Sequence, residues 1–140
     1  MTGTAQGDLA VGTTAPPRDY GPLTTRDFVR YSGASGDLNP MHYDDAMARS
    51  AGYPSVFSQG MHVAALLAGY AVEWLGAEEV RRFGVRFRTQ VYPGDVLTCT
   101  GRVTAVEPTP EGRLVTVELE AGVGDKGAAV SGTADFLLPG

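Results

Sequence analysis

Isoleucine is absent from the 140 residues, lysine and cysteine each occur once (Lys126, Cys99), and histidine occurs twice (His42, His62). The missing isoleucine and scarce lysine fit GC-rich coding and carry no functional meaning. The lone cysteine excludes an internal disulfide and any thiolate-rich zinc site. Basic charge is short as well: 11 Lys+Arg against 16 Asp+Glu leave a formal charge of −5. A phosphate backbone as main partner needs a basic face, so nucleic acid is not expected. The longest apolar run, residues 63–75, is interrupted by Glu73 and is too short for a bilayer. The first basic residue is Arg18, so no charged segment opens a secretory leader. These absences lead to the expectation of a cytoplasmic chain with no membrane partner.

What is present points to one folded domain over residues 1–140. The chain has 43% hydrophobic and 19% charged residues, an ordinary balance for a globule. Its 19 glycines are dispersed and read as turns and close-packed backbone, not as a linker. Residues 1–17 are small and polar with two prolines at the end, and read as a loose lead-in with at most one short strand before Tyr20. Thr24 or Thr25 is an N-cap for a short helix with Phe28 and Tyr31 on one face, ending near Ser32–Gly33. Residues 35–40 are turn chemistry throughout. Residues 44–51 make two helical turns closed by Gly52.

From Gly60 to Leu75, Met61, Ala64, Ala65, Ala68, Val72 and Leu75 recur at helical spacing, and Val63, Leu66, Leu67 and Tyr70 fill the other faces. A helix apolar nearly all round is expected to be buried nearly all round. After Gly76 the period becomes two. Four strands are predicted, around Phe83–Val91, Leu97–Ala105, Val115–Ala121 and Val130–Leu138, with turns at 92–95, 107–112 and 122–127. Consecutive antiparallel strands with one polar face need a cover, and the apolar helix supplies it. The fold class is α+β, a curved antiparallel sheet around one long helix.

Asp37 and His42 stand five residues apart in Gly36-Asp37-Leu38-Asn39-Pro40-Met41-His42. One reading is structural, with the Asp forming an Asx-turn or cap and the His resting on the surface. The other is general acid–base chemistry, which needs an acid and an imidazole held rigidly. Pro40 fixes its own φ and holds Asn39 extended, which favours the second reading.

The run from Tyr31 to His42, with Ala48 six residues later, resembles the hydratase signature of the MaoC-like, (R)-specific enoyl-CoA hydratase family. Gly60-Met61 is similar to that family's helix start. Val85-Arg86-Phe87 followed by Tyr92-Pro93-Gly94-Asp95 is similar to its first long strand and turn. The resemblance implies the hot-dog fold and addition of water to trans-2-enoyl thioesters, or the reverse dehydration of (R)-3-hydroxyacyl thioesters. It implies Asp37 and His42 as the catalytic pair and the Gly60 N–H as oxyanion donor; Asn39, Ser58 and His62 are further substrate-side candidates in this sequence. It implies no cofactor or metal, coenzyme A or an acyl-carrier protein entering as part of the substrate. A second subunit, identical or a related hot-dog chain, is the implied partner. Two alternatives stay open: an acyl-thioester hydrolase, and a subunit of a heteromeric dehydratase acting on polyketide or sterol side-chain thioesters.

The sequence departs from the family's pattern at Gln59, where relatives often carry His or Pro, and at Ala68, where some carry serine. His62 is unusual so close to the helix start, and packing is its plainer reading. Gly122-x-Gly124-x-x-Gly127 matches a dinucleotide fingerprint but lies between two strands, so it is a hairpin turn. Cys99 packs as a small hydrophobe. Arg86 and Arg88 read as a solvated strand face or a subunit contact before any phosphate role.

Overall fold

The change of apolar period marks the boundary between the helical and sheet halves. In the computed structural model, which describes residues 6–140, it falls between α3 (Gly60–Leu75) and β2 (Val80–Phe87). Before it come β1 (Thr14–Tyr20), α1 (Thr25–Ser35) and α2 (Asp45–Ser50). After it come β3 (Leu97–Thr109), β4 (Gly112–Val123) and β5 (Ala128–Leu138). The five strands form one antiparallel sheet in the order β1-β3-β4-β5-β2. This is the α+β arrangement of a hot-dog fold, with the sheet packed on α3.

Three expectations need correction. First, the lead-in is shorter than 17 residues: β1 begins at Thr14 and pairs with β3. Its register shifts between Ala15 and Arg18, where Pro16 and Pro17 sit. Proline lacks the ladder N–H and is tolerated at such an edge-strand bulge. Of the residues before β1, 1–5 lie outside the described residues and 6–13 open with a single turn, Gln6–Asp8.

Second, the four predicted strands are not a simple meander. β2 pairs with β5 at the far edge, and β3 pairs with β1 and β4. The turn at 92–95 therefore belongs to a crossover and not to a hairpin, and Val91 lies in that crossover, 1% exposed. Alternation identifies a strand but carries no information on its partner. At the edge, Phe83 and Phe87 are 37% and 55% exposed instead of core.

Third, α3 is not buried all round. Val63, Ala64, Leu67, Tyr70, Ala71, Trp74 and Leu75 are buried, a single face at helical spacing. Met61, Ala65 and Glu73 are exposed. An apolar residue on every face hides which face meets the sheet. Full burial of each large side chain contributes roughly 1.5–3 kcal/mol, so this face anchors α3. Tyr70 Oη donates to the Pro16 carbonyl at 2.9 Å, and Arg18 pairs with Glu73, which ties β1 to the same helix.

Among the described residues, no helix is long and apolar enough to cross a membrane.

Candidate active site

The first catalytic candidate is placed by the end of α1. Thr24 and Asp27 form a reciprocal capping box at its start. The helix runs past the expected stop at Gly33 and ends at Gly36, whose φ of 80° is the left-handed cap that glycine adopts freely. The Gly36 N–H donates to Ser32 O at 3.0 Å. Asp37 N–H then donates to Ser35 Oγ at 3.1 Å, and Asn39 N–H to Asp37 Oδ1 at 3.2 Å. Asn39 Oδ1 in turn accepts from Met41 N–H at 3.1 Å, starting the single turn Pro40–His42. Ser35, Asp37 and Asn39 each accept a main-chain N–H two residues on, so Asp37 does form the Asx-turn. That leaves Oδ2 free for other work.

His42 does not rest on the surface: it is 7% exposed. Its Nδ1 lies 2.8 Å from the Phe57 carbonyl oxygen. A carbonyl only accepts, so that nitrogen carries the hydrogen, and in the neutral ring the lone pair is on Nε2. Nε2 faces Asp37 Oδ2 across 3.5 Å. The two side chains differ in access, at 8% exposed for His42 and 46% for Asp37. The arrangement offers two proton acceptors converging on one point that water can reach.

Phe57 also begins the segment that reaches the other candidates. Its N–H donates to Met41 O at 3.3 Å, and Ser58 N–H donates to Val91 O at 2.8 Å. Gln59 follows as N-cap of α3 without a side-chain bond to the helix, so no side chain occupies the N–H groups at Gly60. A Cβ at Gly60 would lie 2.9 Å from two atoms of the Phe87 ring, so this position requires glycine unless the ring moves. Gly60, Ser58, Phe57, Val63 and Phe87 line a small cavity of about 180 Å³. A larger open hollow of about 960 Å³ lies on the sheet face turned away from α3, among Arg82, Arg86, Arg88, Arg102, Glu118 and Glu120. It contains none of the candidate residues. Its charges are solvated or paired, as Arg102 is with Glu118 at 3.0 Å. The smaller cavity carries the uncapped start of α3 and shares Phe57 with the Asp37–His42 pair, since the Phe57 carbonyl bonds His42 Nδ1.

The remaining candidates divide. His62 is stacked on Tyr31, ring centroids 4.9 Å apart, and Phe28 meets it edge-on. Its Nδ1 is 2.9 Å from Ser58 Oγ. Burial lowers its pKa, with Asp27 acting in the opposite direction. It is the packed histidine of the plainer reading and does not line the cavity. Asn39 is consumed by the loop. Cys99 is fully buried, and burial pushes its thiol up to about 12, which leaves no thiolate at neutral pH. Among the described residues no group of three or more His, Cys, Asp or Glu is arranged to hold a metal. Sequence reading missed the Phe57 carbonyl, which has no signature because every residue carries one. It noted Gln59 only as a departure, although its side chain is 1% exposed and bonded to α1.

The chain is 35% identical over 86 residues to fatty acid synthase subunit beta of Gibberella zeae, covering 59% of this chain and 4% of that protein. The chain thus spans a small part of that relative. Two solved structures match over nearly their full length. The (R)-hydratase from A. caviae involved in PHA biosynthesis is 26% identical with a TM-score of 0.83, covering 96% of this chain and 100% of that one. One chain of the ChsH1–ChsH2 complex from Mycobacterium tuberculosis gives 25% and 0.81, covering 92% of this chain and 98% of that one. The model of the MaoC like domain matches residues 8–124, and the chain belongs to that family.

Proposed function

We propose that this chain is a hydro-lyase that adds water to trans-2-enoyl thioesters and, in reverse, dehydrates (R)-3-hydroxyacyl thioesters. The observation that carries the reading is the Asp37–His42 pair, 3.5 Å apart, with the His42 tautomer set by the carbonyl of Phe57, three residues before the open start of α3. Two acceptors at that distance do not bond each other when the imidazole is neutral. A water donating one hydrogen to Oδ2 and one to Nε2 satisfies both, and its lone pair is then free to attack.

The water oxygen forms a bond to Cβ of the enoyl group, and the Cα–Cβ π pair moves to Cα and the thioester carbonyl as an enolate. Asp37 takes the proton released from water as the main base. The enolate oxygen is held by the Gly60 N–H at the positive end of α3. Collapse of the enolate takes one proton at Cα. The acceptor atoms Asp37 Oδ2 and His42 Nε2 receive the water proton in this arrangement, so the proton removed from water is the one returned, by Asp37 directly or by way of His42. No cofactor enters this balance. Coenzyme A or an acyl-carrier protein is the thiol portion of the substrate.

A second subunit completes the proposed enzyme. The two sheet edges differ: β1 is blunted by Pro16, Pro17 and its bulge, and β2 is regular over Arg82–Phe87. Unpaired regular edges invite pairing. Phe83, Phe87 and Met61 expose apolar surface on that side. The ChsH1–ChsH2 structure is described as a complex, and an identical or related hot-dog chain along β2 fits this edge.

One specific observation favours a second reading. Ser58 Oγ lies 2.9 Å from His62 Nδ1 at the edge of the Gly60 cavity, a spacing a nucleophile and base would share. A thioester hydrolase of that kind releases free thiol, whereas a hydratase does not. The test is loss of enoyl absorbance from a panel of trans-2-enoyl-CoAs, with thiol release followed in parallel. Turnover to the (R)-hydroxyacyl product, absent in Asp37→Asn, is expected. Thiol release that accompanies the loss of absorbance mole for mole, with no (R)-hydroxyacyl thioester formed, would overturn the reading in favour of hydrolysis.

A further inference from the structure

Gln59 is the most deeply buried polar residue of the chain's described part, 1% exposed, and directly precedes Gly60. Its Nε2 donates to two groups one turn apart on α1, Phe28 O at 2.9 Å and Ser32 Oγ at 2.8 Å. Its Oε1 is buried and has no hydrogen-bond partner. A buried acceptor left unpaired is unfavourable, so stability alone would select an apolar residue of the same size here.

What the two bonds connect explains the amide. On one side, Ser32 O holds the Gly36 cap, and the chain continues through the Ser35, Asp37 and Asn39 bonds to the carboxylate of Asp37. On the other, Gln59 O accepts from His62 N–H and Val63 N–H, which sets the direction of the first turn of α3. Two residues earlier, Phe57 O holds His42. The Gln59 carboxamide is thus a direct tie between the segment carrying Asp37 and the segment carrying Gly60.

We infer that Gln59 is a positioning residue that fixes the register between the Asp37–His42 pair and the Gly60 N–H. It touches no reacting atom. The inference rests on the hydratase reading above. Reaction requires the attacking water and the enolate donor to be placed together, and a misplacement of about 1 Å lowers rate on the order of 100-fold.

Gln59→Leu tests this, because it removes both donors and the unpaired acceptor at similar volume. The Ser32 hydroxyl can then turn to the Phe28 carbonyl one helical turn back, so Tm is expected to stay within a few degrees. The expected kcat falls about 10- to 100-fold with KM changed less than about twofold. Ser32→Ala lowers kcat less, and the double variant is no slower than Gln59→Leu alone, because both cut one tie. A kcat within about twofold of wild type, with Asp37→Asn inactive in the same assay, overturns the inference, as does full additivity. Backbone amide spectra without substrate provide a readout independent of turnover. Gln59→Leu is expected to shift the Asp37, Leu38 and Asn39 amides together with Gly60. Unmoved loop amides overturn the tie whatever the assay shows. Shifted amides in Gln59→Leu, beside a wild type that turns over no enoyl thioester, support the tie and overturn the hydratase reading instead. Gln59→Met serves the same comparison if the leucine variant does not fold.

Discussion

In Asp37→Asn the side chain keeps its size and loses its charge, and the effects on stability and on turnover can be worked separately. The Asn39 N–H bond to Oδ1, 3.2 Å, is retained by an amide oxygen. The contact with His42 spans 3.5 Å and its carboxylate side is 46% exposed, so even a charged pair in this geometry would contribute no more than about 1 kcal/mol after solvent screening. At about 2 cal/mol/K per residue, unfolding the 140-residue chain carries an entropy of about 0.3 kcal/mol/K. The upper limit therefore moves Tm by about 3 °C. Turnover is a different matter. Loss of a positioned base lowers rate by roughly 100- to 10,000-fold, or about 3–5 kcal/mol of barrier. Thermal melting and loss of enoyl absorbance on one preparation measure both. A kcat within about tenfold of wild type would remove Asp37 as the base. A fall in Tm near 10 °C would show that the charge holds the loop, contrary to the weak coupling expected of a half-exposed carboxylate.

Gly60→Ala places a Cβ 2.9 Å from the Phe87 ring, which must shift to make room at the start of α3; kcat/KM is expected to fall about tenfold or more. Unchanged kinetics would place the thioester carbonyl elsewhere. Gly112→Ala combines a φ of 147° with a Cβ 2.2 Å from Leu138 O; backbone strain of about 3 kcal/mol should lower Tm by about 10 °C, and a small shift in the melt would refute it. Burial lowers the pKa of His62, so below its unfolded value near 6.5 the unfolded chain binds the proton first. Stability from this group is complete above that pH and declines as pH falls toward the lowered value. His62→Phe should flatten that part of the Tm profile between about pH 7 and 5, and an unchanged slope would assign it to another group.

Local features were legible wherever a short stretch of sequence decides them. The α3 boundaries follow from glycine at both ends of an apolar run, and the Asp37–His42 loop follows from residues that bond their own neighbours. The α1 stop reads too early because Gly33 looks like a terminator, whereas the helix continues to Gly36, where the left-handed cap forms. Pairing was not legible. β2 and β3 are successive in sequence, and nothing in the alternation of Phe83 and Val85 says that Ala134 and Gly132 stand opposite them. The site divides in the same way. The acid and the imidazole were visible as a motif, but the partner that sets the tautomer is a main-chain oxygen 15 residues away. The tie through Gln59 spans 31 residues to Phe28.

The size of the cavity bears on how the acyl group is selected. At about 180 Å³, the space beside Gly60 is below the roughly 300–1,000 Å³ of pockets that enclose a ligand. It has room for the reacting end of a thioester but not for a long or bulky acyl chain. One of its walls is Phe87, which stands at the end of the free β2 edge and is more than half exposed. Under the proposed pairing, a subunit added along β2 covers that ring and continues the cavity across the interface. The chemistry then belongs to the Asp37 loop and the start of α3, while chain-length preference is set jointly by Phe87 and whatever the partner places against it. A homodimer and a heteromer of this chain would run the same reaction on different acyl groups.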